Sequence, residues 1–234
     1  MLEVDQIEVF YGNLRIIKKI SFNAESQKIT TIVGSNGAGK STILKALAGF
    51  VPVRSGKINF AGTDVQNQPP YKIVHLGLSF VDESVKIFPY MTVKENLLLG
   101  AYRPKAWKER NDTVKSIFEL FPRLAERTGQ LAVTLSGGER RMLGIGRGLM
   151  SQPNLLMLDE PSSGLAPIMV SAMFEAIKNI NHAGTSILIV EQNVWETLNL
   201  AHVGYVIENG KIVLEGKGDE LLGNSSVKAA YLRV

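Results

Sequence analysis

The chain has 234 residues, a formal net charge of +4, 45% hydrophobic and 21% charged residues, no cysteine and three histidines. That length suits one α/β domain with a smaller appendage, and the ordinary balance of apolar and charged residues excludes a disordered chain. The lack of cysteine excludes disulfides, thiolate metal sites and cysteine nucleophiles, and so mild a charge does not by itself argue for nucleic acid. No apolar run approaches the roughly 18 residues of a membrane span. Residues 1–6 carry two acids and no basic flank, so they do not read as a signal peptide and a cytosolic chain is expected. In chain order, β-rich stretches are predicted over residues 2–11, 16–22 and 29–33, with polar turns at Gly12-Asn13 and 25–28. A helix follows over 42–48, then strands over 56–60 and 76–81, separated by a turn at Pro69-Pro70. From Thr92 to about Arg127 the pattern turns helical, with Val114, Ile117, Phe118 and Phe121 at i, i+3, i+4 and i+7. Alternation then resumes: helix 137–150, strand 155–158, helix 167–180, strand 186–190. A hairpin of 203–207 and 211–215 closes around Asn209-Gly210.

Three stretches carry chemistry. Gly34-Ser35-Asn36-Gly37-Ala38-Gly39-Lys40-Ser41, followed by Thr42, lies between a strand and a helix. Its glycines let consecutive backbone N–H groups close on phosphate oxygens, and the helix presents its positive end to the same anion. Lys40 is placed to neutralise the β and γ phosphates and Ser41 to hold Mg²⁺, so the ligand expected is a nucleoside triphosphate. Leu155-Leu156-Met157-Leu158 ends in Asp159-Glu160, and the carboxyl ends of parallel strands border the ligand crevice. Asp159 is expected to act on Mg²⁺ through water and Glu160 to orient and polarise the attacking water. Leu135-Ser136-Gly137-Gly138-Glu139 contains a Ser-x-x-Glu capping box, and a capped helix start flanked by glycines is also an anion site.

In this order and spacing the three motifs resemble the ATP-binding subunit of an ABC transporter over essentially the whole chain. The resemblance implies an α/β P-loop ATPase fold with an N-terminal antiparallel β subdomain and a helical insertion. Core and β subdomain would take residues 1–83 and 135–234, and the helical subdomain 84–134. It implies ATP and Mg²⁺ as ligands, with Ser41, Glu83 and Asp159 toward the metal and Tyr11 stacked on adenine. Ser136, Gly137 and Gly138 would serve the nucleotide held by a second subunit, either another copy or a paralogous ATPase. Glu83 and Gln192 stand where most relatives carry glutamine and histidine. A carboxylate at 83 attracts the metal but repels the triphosphate, while the Gln192 amide still donates a hydrogen bond to the γ-phosphate without gaining a proton. Ala166, in the loop 163–166 that crosses to the second subunit, replaces a frequent aspartate.

The segments 81–89, Glu191-Gln192-Asn193 and 204–210 are similar to one branch of that family, the shorter of two ATPases in high-affinity uptake of branched-chain amino acids. Asp82, Ser84, Val85 and Lys86 depart from the branch, which commonly has Pro, Gly and two Arg there. The implied partners are transmembrane permease subunits, reached through a groove between the helical insertion and the Glu83 loop. Residence is then peripheral, on the cytoplasmic face of the membrane, with neither cargo contact nor nucleic acid. An ATPase of an amide, urea, lipid or export system stays open, as does a soluble ATPase acting on nucleic acid or ribosomes and a nucleotide-binding regulator without turnover. Arg140, Arg141 and Arg147 read as a solvated or phosphate-adjacent helix face. Gly144, Gly146 and Gly148 read as close packing of that helix on the sheet, the methionines at 142, 150, 157, 169 and 173 as core filler, and 103–110 as an exposed basic helix or loop.

Overall fold

A computed structural model describes residues 1–232. The chain order is β1 (Leu2–Tyr11), β2 (Leu14–Ala24), β3 (Ile29–Val33), α1 (Lys40–Leu47), β4 (Val53–Phe60), β5 (Thr63–Asp64), α2 (Pro70–His75) and β6 (Leu78–Val81). The helical segment follows as α3 (Val93–Leu98), α4 (Pro104–Lys108), α5 (Arg110–Leu120) and α6 (Pro122–Ala125). After it come α7 (Gly137–Leu149), β7 (Leu155–Asp159), α8 (Pro167–His182), β8 (Ser186–Glu191), α9 (Val194–Leu200), β9 (Val203–Glu208), β10 (Lys211–Gly216) and α10 (Gly218–Gly223).

Two sheets result. An antiparallel sheet has the order β2-β1-β4-β5, and a larger one the order β10-β9-β3-β8-β7-β6, parallel except for the antiparallel β10. Strands β3, β7 and β8 are buried at every position, so they read as continuous apolar runs rather than alternations. One core lies between the two sheets and α1, with Phe60, Ile17, Ile43 and Leu44 fully buried. A second packs α7, α8 and the helical segment on the opposite face of the large sheet, through Leu97, Ile117, Leu143, Met173 and Ile177. Because β3, β8 and β7 are neighbours in register, Val33 opposite Glu191 and Asp159 opposite Val190, the loops leaving these three strands emerge side by side.

Most predicted elements recur with ends moved by a few residues, and two differences have physical causes. Pro69-Pro70 opens a helix rather than a turn, because Pro70 takes the first helical position, where its missing N–H is not needed. That helix runs to His75 and the chain turns at Gly77 (φ +102°), which shortens the expected strand 76–81 to Leu78–Val81. The helical stretch after Thr92 is four helices, interrupted by Gly100–Arg103 and restarted by Pro104 and Pro122. Helices α9 and α10 were missed by the sequence reading; both are short, and α10 buries only Gly218 and Leu221.

Candidate nucleotide site

The cradle is a strand-to-helix turn with two residues in the left-handed region, Gly37 (φ +78°) and Gly39 (φ +111°), where a Cβ would be strained. Gly39 caps α1 without a side chain, which leaves the first N–H groups of the helix turned to the loop. The loop is supported from outside. Gly210, at the tip of the β9–β10 hairpin, donates its N–H to the Ala38 carbonyl at 3.0 Å and accepts from Lys18 N–H at 2.8 Å. A side chain at Gly210 would collide with the Ile16 carbonyl, and one at Gly34 with Ile207. The turn signal Asn209-Gly210 therefore marks a strut under the cradle as well as a hairpin.

Lys40 is buried and donates to the carbonyls of Gly34 (2.9 Å) and Ser35 (3.2 Å), while its Nζ lies 3.2 Å from Glu160 Oε1. Ser41 Oγ donates to Asp159 Oδ1 at 2.8 Å. Burial is the main reason the Asp159 carboxyl is pushed up to about 6. The Ser41 hydrogen bond opposes it, the charges of Asp82 and Glu160 reinforce it, and Lys45 opposes it again. Glu160 follows β7 at φ +43°, its N–H held by the Val190 carbonyl at 2.9 Å. Asn36, Gly37, Gly39, Lys40, Ser41, Thr42, Glu83, Glu160, Ser163 and Gln192 share the walls of one open cleft of ≈ 500 Å³ with Ile16. Gly34, Ala38 and Asp159 are buried and do not line it, and Ser35 is exposed outside it. Tyr11 stands 48% exposed near the β1–β2 turn and does not line the cleft.

Ser136, Gly137 and Gly138 are apart from it. The Ser136 hydroxyl accepts from Glu139 N–H at 3.3 Å, and Glu139 Oε2 from Ser136 N–H at 2.9 Å, so the capping box is complete. Partial burial raises the Glu139 carboxyl, but these bonds and the charges of Arg127 and Arg123 outweigh it and hold the group below the usual range. Arg127 Nε is 2.9 Å from Glu139 Oε1 as a charge contact, without an aligned hydrogen bond. Ser136 and Gly137 face solvent.

Of the arginines of α7, Arg140 is exposed as expected, whereas Arg141 and Arg147 are half-buried against loops. Arg141 donates to the carbonyls of Glu83 (3.1 Å), Glu160 (2.9 Å) and Ser163 (2.8 Å), and Arg147 to Lys86 (2.6 Å) while lying 5.8 Å from the Phe88 ring. Arg140 Nε donates to the Leu135 carbonyl. Loop carbonyls next to a helix need donors, and the guanidinium fork supplies several from one side chain. Of the three helix glycines Gly148 abuts the sheet most fully, at Val81, Ser79 and Leu156, and Gly144 reaches Val81 of β6 as well. Gly144 faces Val85, and Gly146 faces Leu97 and Ile117. Glu191, unmarked by sequence reasoning beyond its place before Gln192, is 2% exposed and accepts from Ser162 N–H (2.8 Å) and Gln192 N–H (3.0 Å). A strand-end acid inside an otherwise apolar run was the available signal.

The donors around Ser41 are hard oxygens, a hydroxyl and the carboxylates of Asp159 and Glu83, which suits Mg²⁺. No group of three or more His, Asp or Glu able to hold a metal occurs among the described residues. A magnesium ion here would thus draw much of its coordination from phosphate and water, as this ion ordinarily does. A larger groove of ≈ 1030 Å³ lies away from the cradle, lined by Phe50, Tyr71, Val85, Phe88, Leu99 and Tyr102 among others.

The sequence profile of the ABC transporter family matches residues 17–163. The chain is 41% identical to the high-affinity branched-chain amino acid transport ATP-binding protein BraG of Pseudomonas aeruginosa, covering 99% of each chain. It is 34% identical to the probable branched-chain amino acid transport ATP-binding protein LivF of Archaeoglobus fulgidus, over 95% of this chain and 94% of that one. A crystal structure of an ATP-binding cassette of an ABC transporter in its ADP conformation superposes with a TM-score of 0.83, at 27% identity over 99% of this chain and 98% of that one. Because the family profile runs without a break through the cradle, the capped helix of Ser136 and the paired acids, the chain belongs to the ATP-hydrolysing, ATP-binding subunits of ABC transporters.

Proposed function

We propose that this subunit powers the import of branched-chain or related amino acids, working in pairs at the cytoplasmic face of a membrane permease. Support for the cargo is the 41% identity to BraG over nearly the full length. Support for the mechanism is the gathering of Lys40, Ser41, Glu83, Glu160 and Gln192 in one cleft.

In this reading, Gly34 to Thr42 cradles the triphosphate with backbone N–H groups and Lys40 counters the β and γ charges. Tyr11 stacks on the adenine. Ser41 and Glu83, with Asp159 acting through water, would hold Mg²⁺, which when bound would lower the charge repulsion met by an attacking oxygen. Glu160 takes the proton of the attacking water, and the Gln192 amide donates to the γ-phosphate. Ser136, Gly137 and Gly138 complete the site of the second subunit, which is either another copy or a paralogous ATPase. Residues 84–134 act as the helical subdomain between the core portions 1–83 and 135–234. The exposed aromatics of the larger groove, Phe50, Tyr71, Phe88 and Tyr102, receive the permease. No helix of the described residues is long and apolar enough to cross a membrane, so the membrane path is assigned to that partner.

The test is co-expression with candidate membrane subunits, measuring ATP hydrolysis and labelled leucine uptake together. The parent chain is expected to raise both. Glu160→Gln is expected to abolish both while accumulating an ATP-bound dimer. Stimulated hydrolysis without leucine uptake would discard the cargo, and near-normal hydrolysis by Glu160→Gln would discard Glu160 as base.

A further inference from the structure

Arg141 does not itself line the cleft, yet it joins two loops of the cleft wall. It sits one turn inside α7, and its guanidinium donates to three backbone carbonyls on two loops, that of Glu83 after β6 and those of Glu160 and Ser163 after β7. The side chains of these same three residues line the cleft. Arg141 makes no ion pair among the described residues, so its contacts there are directional hydrogen bonds and not charge neutralisation. A planar fork with donors fixed in one plane can serve three acceptors at once, which a lysine ammonium on a flexible stem does poorly.

The backbone of Glu160 needs such a hold. At φ +43° it occupies a region that residues with a side chain adopt only when their surroundings fix them there. Its N–H is bound by Val190, and its carbonyl accepts from Ser163 N–H at 3.1 Å as well as from Arg141. The carboxylate, 3.2 Å from Lys40, is thereby aimed at the phosphate end of the cleft. Arg141 also belongs to the helix that begins with the exposed Ser136 and Gly137. One rigid element thus carries the residues offered to a second subunit at its start and grips the catalytic loops of its own subunit one turn later.

We propose that Arg141 is a positioning residue for hydrolysis: it fixes the loop that carries Glu160 and Ser163, together with the Glu83 loop, to the start of α7. Contact of that helix with the second subunit is thereby passed to the carboxylate that activates water. The inference rests on the reading of Glu160 as base, so Glu160→Gln is measured alongside.

Arg141→Ala and Arg141→Lys are assayed as full chains for steady-state ATP hydrolysis, with the thermal unfolding midpoint recorded for each. Misplacing a catalytic group by about 1 Å costs up to about a hundredfold, so Arg141→Ala is expected to lower kcat by about ten- to a hundredfold. Its KM for ATP should stay within about threefold, because the cradle that binds nucleotide is untouched. Arg141→Lys keeps the charge without the fork and should fall well short of the parent. If Arg141→Ala does not fold, Arg141→Gln, which retains an amide donor, is judged by the same kcat and KM criteria. A kcat within about twofold of the parent, a KM that rises as far as kcat falls, or full recovery in Arg141→Lys would overturn the proposal. Persistent turnover in Glu160→Gln would instead overturn the assignment of the base.

Discussion

At the scale of single residues, the site sets two opposed demands on Asp159. Its acceptor oxygen is needed by the Ser41 hydroxyl, yet its charge is buried at 3% exposure. Burial pushes the group up to about 6 from an ordinary 3.8. A carboxyl raised in the folded state contributes stability that is fully present below pH 3.8 and is lost as pH rises through 6. A shift of this size corresponds to about 3 kcal/mol before relaxation of the site. Asp159→Asn keeps an oxygen for Ser41 and removes the charge. In nucleotide-free, metal-free buffer the variant is expected to be about 2 to 3 kcal/mol more stable than the parent at pH 8, with the gap closing near pH 4. Urea unfolding across that range measures it, and a gap independent of pH would contradict the burial argument. Lys40, Ser41 and Asp159 were legible in sequence because each belongs to a short motif whose spacing implies its geometry. Arg141 was not, since its partners lie 19 to 58 residues away and nothing local distinguishes its role, and Glu191 offered only its place at a strand end while its partner Ser162 lies 29 residues away.

At the scale of elements, local signals worked where local physics decides. The capping box at Ser136 and Glu139 starts α7 as read, and the mostly apolar runs became the fully buried central strands β3, β7 and β8. They failed at α2, whose six residues bury only Ile73 and so give no helical stripe to detect. They held only in part for the glycines of α7, where Gly148 meets the sheet but Gly146 meets helices, because a glycine spacing does not say which neighbour approaches. Gly144 faces Val85, a β-branched residue held at φ +39°, and a methyl group on Gly144 would overlap its Cγ1. Alanine in a helix interior is worth about 1 kcal/mol over glycine, while overpacking costs about 1 to 3 kcal/mol. Gly144→Ala alone is therefore expected to destabilise the chain or leave it level. In a Val85→Ala background the same change should stabilise by about 1 kcal/mol, since the clash is gone and the helix gain remains. Equal effects in both backgrounds, by chemical unfolding, would show that Val85 does not set the glycine requirement. The outcome also bears on the groove, because Val85 and Gly144 both line it.

At the scale of the whole molecule, the residues proposed to share one nucleotide are not joined within this chain. Ser136 and Gly137 are exposed and lie outside the cleft that holds Lys40, Glu160 and Gln192. A head-to-tail pair on a two-fold axis would bring each capped helix to the other cradle and make two shared sites. This arrangement predicts complementation between two dead variants. Lys40→Ala disables a cradle, and Ser136→Arg obstructs a capped helix while leaving its own cradle intact. Alone, each variant has only defective sites, because every site in its dimer lacks one half. Mixed in equal amounts, half of the dimers pair unlike chains, and each of these has one site with both halves whole. Activity should return to about a quarter of the parent value. A titration of one variant into the other, followed by ATP hydrolysis, should rise and then fall with its maximum near equal amounts. If both variants are folded and no mixture recovers activity while the parent alone hydrolyses ATP, the site is not shared between copies of this chain.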